Sequence, residues 1–357
     1  MELERLMSVQ PQLFGNWTAP ASMLTIDTLD CHTAGEPLRI ITKGFPILRG
    51  ASMLARRRDC MEQHDALRKA LMFEPRGHAD MYGALITPPE REDSHFGALF
   101  MHNEGYSTMC GHAMIALTRT AIEAGVVEKK EPTTTFCIDV PCGQIRVFAE
   151  IRQGVIEDIS FENVASFVQE MDCEIEVQGI GPVTYSLAYG GAFYAYVDAA
   201  SIGLSLAMEN HRQIIDYGMR IKKAVMARQT MAHPFEPDLN FLYGTIFSDR
   251  PSPASSPQVH SRNVCIFADG ELDRSPTGSG VSGQIAILMA RGAVSLGQQI
   301  VIESILGTQF RVSAVREEAY GPYFAVIPRV AGEAYVTGQH QFLIDPQDPL
   351  MQGFIFK

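Results

Sequence analysis

A cysteine set just before a helical pattern, in Ser107-Thr108-Met109-Cys110-Gly111-His112-Ala113, is the residue in this 357-residue chain best suited to proton chemistry. The first turn of a helix leaves backbone N–H groups unpaired and carries the positive end of the macrodipole, so a thiol there has its thiolate stabilised. With up to roughly 2 kcal/mol from the dipole and about 1.4 kcal/mol per pKa unit, a fall of about one unit from a value near 8.5 is expected. That makes Cys110 a usable base near neutral pH. A second stretch, Asp273-Arg274-Ser275-Pro276-Thr277-Gly278-Ser279-Gly280, repeats the layout with Thr277 in the place of the cysteine. The N–H groups of Gly111 and His112 in one stretch, and of Gly278 and Ser279 in the other, are suited to hold a small carboxylate between two facing helix starts. Glycine at 111 and 278 lets the backbone approach such a ligand closely.

The elements that carry these residues are duplicated. Cys110 and Thr277, Phe100 and Phe267, and Gly125 and Gly292 are each 167 residues apart, so each half reads strand, loop, special residue, helix. Met81-Tyr82-Gly83-Ala84 and Leu242-Tyr243-Gly244-Thr245 repeat at an offset of 161, which places insertions between the copies. Strands are expected from Leu24 to Leu29, at 81–86, from Thr135 to Val140 and from Gln144 to Ile151, and in the second half from Gln299 to Ile305 and from Phe310 to Val315. Amphipathic helices are expected over 54–72 and 206–227. The proline- and serine-rich stretch 248–261 reads as a mobile loop. The expected fold is α+β: two pseudo-symmetric domains, each a curved, mostly antiparallel sheet or barrel wrapped around a central helix. The division is 1–23 as an extension, 24–160 with 335–357 as the domain carrying Cys110, and 161–334 as the domain carrying Thr277.

Composition narrows the partners. A net charge of −12 argues against nucleic acid or an anionic membrane surface, and no apolar run reaches membrane-spanning length. Seven scattered cysteines, never spaced as CxxC, favour reduced thiols over a disulfide framework or a zinc site. Cytoplasm is the default compartment, and a homodimer stays open. Ten histidines never form HExxH, so a metal site is unsupported, and no cofactor is expected.

The segments His32-Thr33-Ala34-Gly35-Glu36-Pro37, Met109-Cys110-Gly111-His112 and Asp273 to Gly280 resemble the three signature motifs of the proline racemase family, in order and over roughly 24–345. The resemblance implies a diaminopimelate epimerase-like fold and an imino-acid substrate whose Cα proton is taken and returned by two cysteines, one on each face. It also implies that Asp273 accepts hydrogen bonds from the ring ammonium and that His112 offers its backbone N–H to the carboxylate. Thr277 departs from the paired cysteines and resembles the trans-3-hydroxy-L-proline dehydratase branch, which pairs cysteine with threonine. Leu38 stands where a threonine is common.

The departure has a chemical consequence. A hydroxyl is too weak an acid, and too weak a base, to invert a stereocentre from the opposite face, so one-base chemistry remains. If the ring carries a 3-hydroxyl trans to the carboxylate, Cα–H and that hydroxyl share a face. Cys110 can then take the proton and return it to the departing oxygen, leaving an enamine that becomes Δ1-pyrroline-2-carboxylate. Two other readings stay open, a hydroxyproline epimerase and a silent imino-acid-binding protein. Gly278-x-Gly280-x-x-Gly283 is literally GxGxxG, but Ala268 to Thr277 separates it from the preceding strand, which argues against an NAD-dependent oxidoreductase. Cys110 as a buried packing thiol, Thr277 as an N-cap, Asp273 as a loop cap and His112 as a helix-surface residue are the bland alternatives.

Overall fold

A helix that is apolar on every side has to be enclosed, and the segments after Cys110 and Thr277 are of that kind. The computed structural model, which describes residues 17–250 and 258–356, encloses both in strands. The first half runs β1 (Leu24–Thr33), β2 (Glu36–Lys43), α1 (Met53–Gln63), α2 (Asp65–Met72), β3 (Tyr82–Thr87), β4 (Phe96–His102), β5 (Tyr106–Ser107), α3 (Gly111–Glu123), β6 (Thr133–Val140), β7 (Gly143–Arg152), β8 (Val155–Glu162) and β9 (Ser166–Val177). The second repeats the order with β10 (Gly181–Tyr189), β11 (Phe193–Asp198), α4 (His211–Arg228), β12 (Leu242–Asp249), β13 (Val259–Phe267), β14 (Glu271–Leu272), α5 (Gly278–Ala290), β15 (Ile300–Glu303), β16 (Gln309–Tyr320), β17 (Tyr323–Gly332) and β18 (Ala334–Ile344).

The fold is α+β, and the duplication extends to strand pairing. β2 with β3 and β11 with β12 are parallel, as are β4 with β6 and β13 with β15. The hairpins β6–β7 and β15–β16 are antiparallel, and so are β7–β8 and β16–β17. The last strand of each copy crosses over: β18 pairs with β1 from Leu24↔Ile344 to Thr33↔Ala334, and β9 pairs with β10. α3 packs against β1, β2, β7, β8 and β18, and α5 against β9, β10, β11, β16 and β17. Gly125 and Gly292, at φ +70° and +65°, follow the two helix ends in the left-handed conformation that glycine adopts without strain.

The structure departs from the sequence reading in places. The helix expected over 54–72 is two helices, because His64 leaves helical geometry and its N–H closes the end of α1 on the Cys60 carbonyl. The helix expected from 206 starts at His211, after a 3₁₀ turn at Met208–Asn210. Sequence reasoning assigns nothing over 155–198, where β8 to β11 run. The loop read at 248–261 is narrower than expected: β12 and β13 stay paired as far as Asp249↔Arg262, while 251–257 lie outside the described residues. Most of the N-terminal extension, 1–16, lies outside them too. No helix among the described residues is long and apolar enough to cross a membrane.

Candidate active site

α3 and α5 meet start to start. A Cβ built on Gly111 would stand 2.4 Å from Cα of Gly278, and one on Gly278 2.6 Å from Cα of Gly111. The approach of one backbone to the other therefore requires glycine at both positions. Two positive macrodipole ends repel at this range, and an anion between them relieves the repulsion.

One cavity at this junction is lined by Cys110, Gly111, His112, Asp273, Thr277, Gly278 and Ser279, all seven residues singled out in the sequence. Cys110 is the N-cap of α3: its Sγ accepts from the Ala113 N–H at 3.4 Å and lies 3.2 Å from Nδ1 of His112. The thiol is 4% exposed. Its pKa is pushed up, not down: burial outweighs the Ala113 N–H, and Asp273 adds negative charge. The helix start opposes that shift without reversing it, because a thiolate in a dry pocket loses more solvation than the first turn returns.

Thr277 occupies the N-cap position of α5 but makes no capping hydrogen bond with its side chain. At φ +67° a β-branched residue is strained, and the strain accompanies a specific contact: its hydroxyl donates to Oδ2 of Asp273 at 2.7 Å. The other Asp273 oxygen accepts from the Ser275 N–H at 2.7 Å, so this carboxylate is fixed from both sides. The Ser279 hydroxyl pairs with the Tyr194 hydroxyl at 2.7 Å.

His112 is buried, its ring edge-on to Tyr82 at 4.9 Å, and its backbone carbonyl accepts from the Thr33 hydroxyl at 2.8 Å. Burial pushes its pKa down to about 4, against the pull of Asp273, so the ring is neutral near pH 7. The unfolded chain, titrating near 6.5, binds a proton that this buried ring refuses until about pH 4. His112 therefore favours the folded state fully above about pH 6.5, by about 3 kcal/mol at most, and loses that contribution as pH falls to about 4. His233, pushed to about 4 by burial, acts in the same sense. Glu36, held well above the carboxylate range by burial and then by Asp273, acts oppositely and loses its contribution as pH rises. Unfolding midpoints between pH 4 and 6.5 should thus rise with pH, and less steeply in His112→Gln; an equal slope in the variant would exclude this assignment.

Sequence reasoning missed Tyr82, Met109, Tyr194, Tyr243 and Phe267, which complete the wall. The signal was present, since Tyr82 and Tyr243 stand at the same place in the two repeated strands, but a strand pattern does not say which face meets the other half. Two polar residues of the first motif, His32 and Glu36, do not line this cavity. His32 lines an outer groove beside Tyr335, with rings 5.4 Å apart, and Glu36 is fully buried, accepting the Arg274 N–H at 2.7 Å. The glycines of the GxGxxG string serve packing: a Cβ on Gly280 would meet Ile246 at 2.4 Å and one on Gly283 the Tyr196 hydroxyl at 2.2 Å.

A family model described as proline racemase matches residues 28–355. The chain belongs to the proline racemase family. Among its relatives, a trans-3-hydroxy-L-proline dehydratase of Colwellia psychrerythraea is 56% identical over 336 residues, 94% of either chain. A 3-hydroxyproline 2-epimerase of Burkholderia multivorans is 43% identical over 333 residues, 93% of this chain and 98% of that one. In three dimensions the fold matches the crystal structure of a hydroxyproline epimerase from Agrobacterium vitis with bound trans-4-hydroxy-L-proline, at a TM-score of 0.87 and 29% identity, covering 93% and 96% of the two chains. Within the proline racemase family, this member brings cysteine and threonine, not two cysteines, to the paired helix starts.

Proposed function

We propose that the protein is a trans-3-hydroxy-L-proline dehydratase that works without a cofactor. The observation that carries the reading is the meeting, in one cavity, of a thiol on one helix start and an aspartate-bound hydroxyl on the other. The substrate carboxylate sits against the N–H groups of Gly111, His112, Gly278 and Ser279, where two dipoles favour negative charge. The ring ammonium lies by Asp273, and its positive charge close to Sγ lowers the thiol pKa that burial raises. Cys110 takes the Cα proton as its thiolate. Thr277, tied to Asp273, positions the opposite face and transfers no proton. Loss of the 3-hydroxyl gives Δ1-pyrroline-2-carboxylate and water.

The test is incubation with trans-3-hydroxy-L-proline and capture of the imine by o-aminobenzaldehyde. Ring inversion without imine would replace dehydration by epimerisation, the second reading, which the name of the Burkholderia multivorans relative favours. Thr277→Cys should introduce exchange of Cα hydrogen on the opposite face in D2O. Chiral analysis showing none would count against a facing position for residue 277.

All seven cysteines are free thiols, in support of a reducing, cytoplasmic compartment. The pairing of β18 with β1 and of β9 with β10 supports domain boundaries near 160 and 335.

A further inference from the structure

Syn elimination needs a proton for the departing hydroxyl, delivered on the face that Cys110 occupies. Thr277, at the start of the other helix, has its hydroxyl committed to Asp273. Beside Cys110 the described hydroxyls form a cluster: the Tyr82 hydroxyl is hydrogen-bonded to Ser107 Oγ and lies 3.3 Å from the Tyr243 hydroxyl, which reaches it from the other half. Tyr82 and Tyr243 stand at matching positions of the two repeated strands, so their hydroxyls meet where the two copies face each other, as Gly111 and Gly278 do. Both tyrosines line the cavity, and both hydroxyls are buried with the phenol pKa pushed well up, so both are neutral donors at pH 7. The Tyr82 hydroxyl also opposes the burial-driven rise of the Cys110 thiol.

We propose that Tyr82 is the general acid of the dehydration, donating its phenolic proton to the 3-hydroxyl as the C3–O bond breaks and recovering it from the Cys110 thiol. This rests on the dehydratase reading and replaces the return of the proton from Cys110 to the departing oxygen that the sequence suggested. The bonds balance. The Cα–H proton moves to Sγ, the electron pair it leaves forms the Cα–C3 double bond, and the C3–O pair departs with oxygen. That oxygen takes the Tyr82 proton and leaves as water. The thiol then reprotonates the phenolate, restoring the thiolate for the next turnover. A phenol is a weak acid, but it is stronger than water, so transfer to a departing hydroxide runs downhill. Ser107 and Tyr243 hold the phenol in place and donate to the transient phenolate.

Tyr82→Phe separates the two half-steps. Imine formation from trans-3-hydroxy-L-proline should fall about 10²- to 10³-fold, within the range of general acid catalysis. Exchange of substrate Cα hydrogen in D2O needs no proton for the leaving oxygen, so it should fall far less, by about fivefold, as the thiolate loses its Tyr82 contact. Dehydration at the wild-type rate, or exchange falling by the same factor as dehydration, overturns the assignment. If the phenylalanine variant does not fold, 3,5-difluorotyrosine at position 82 keeps the hydroxyl and acidifies it. The basic limb of the kcat profile should then move to lower pH, and an unmoved limb overturns the proposal. A wild-type protein that forms no imine overturns the dehydratase reading together with this one. A wild type that does, alongside an unimpaired variant, overturns this one alone.

Discussion

Cys110→Ser is expected to lose imine formation by about 10³- to 10⁴-fold while keeping its fold, because the change removes the proposed base and little else. Serine fits the N-cap of α3 at least as well as cysteine and can accept the Ala113 N–H that Sγ accepts now. Unfolding midpoints should therefore be close to wild type, which separates a catalytic loss from a structural one. A hydroxyl in a dry pocket stays protonated at any pH the protein survives, whereas a thiol, even one pushed up by burial, is within reach of a neighbouring ammonium. Imine formed at the wild-type rate by the serine variant would remove Cys110 from the mechanism. So would equal loss of Cα exchange and of folding.

The second large effect is structural. Gly111→Ala should destabilise the protein by about 3 kcal/mol or more, at the upper end of what overpacking does. In an exposed helix the same change would help by up to about 1 kcal/mol, since alanine is the better helix former. Here the new methyl would stand 2.4 Å from the Gly278 backbone with Phe161 Cζ at 3.1 Å, and neither helix start can retreat without opening the cavity. Gly278→Ala meets the mirror-image obstacle at 2.6 Å. Denaturant titration of the two variants checks this. A variant as stable as wild type would mean that the two helix starts do not abut. Because the seven cavity residues hang on that junction, the alanine variants should also bind pyrrole-2-carboxylate poorly, a planar mimic of the flattened Cα.

Much of this was legible in the linear chain. The 167-residue repeat, the residue preceding each helix and the glycine after each one are local features, and helix starts and stops depend on local chemistry. The cysteine and threonine positions were legible for the same reason, as was the enclosed character of α3 and α5, whose apolar residues run round the whole helix.

What the chain order alone did not decide follows from contacts between residues far apart in it. The direction of the Cys110 shift is one case. The helix-start effect is local and visible in sequence, but burial is set by Tyr82, Phe267 and the second half closing over the thiol, and burial is the larger influence. The use of Gly111 and Gly278 is another, since only the docking of two helices shows that each glycine faces the other. The strained Thr277 backbone, its bond to Asp273 and the meeting of the Tyr82 and Tyr243 hydroxyls are likewise tertiary facts. Sequence determined which residues stand at the two helix starts, because the rules for starting a helix reach only a few positions along the chain. The fold decided that those starts confront each other, because only packing removes the water between them and lets distant charges and dipoles act.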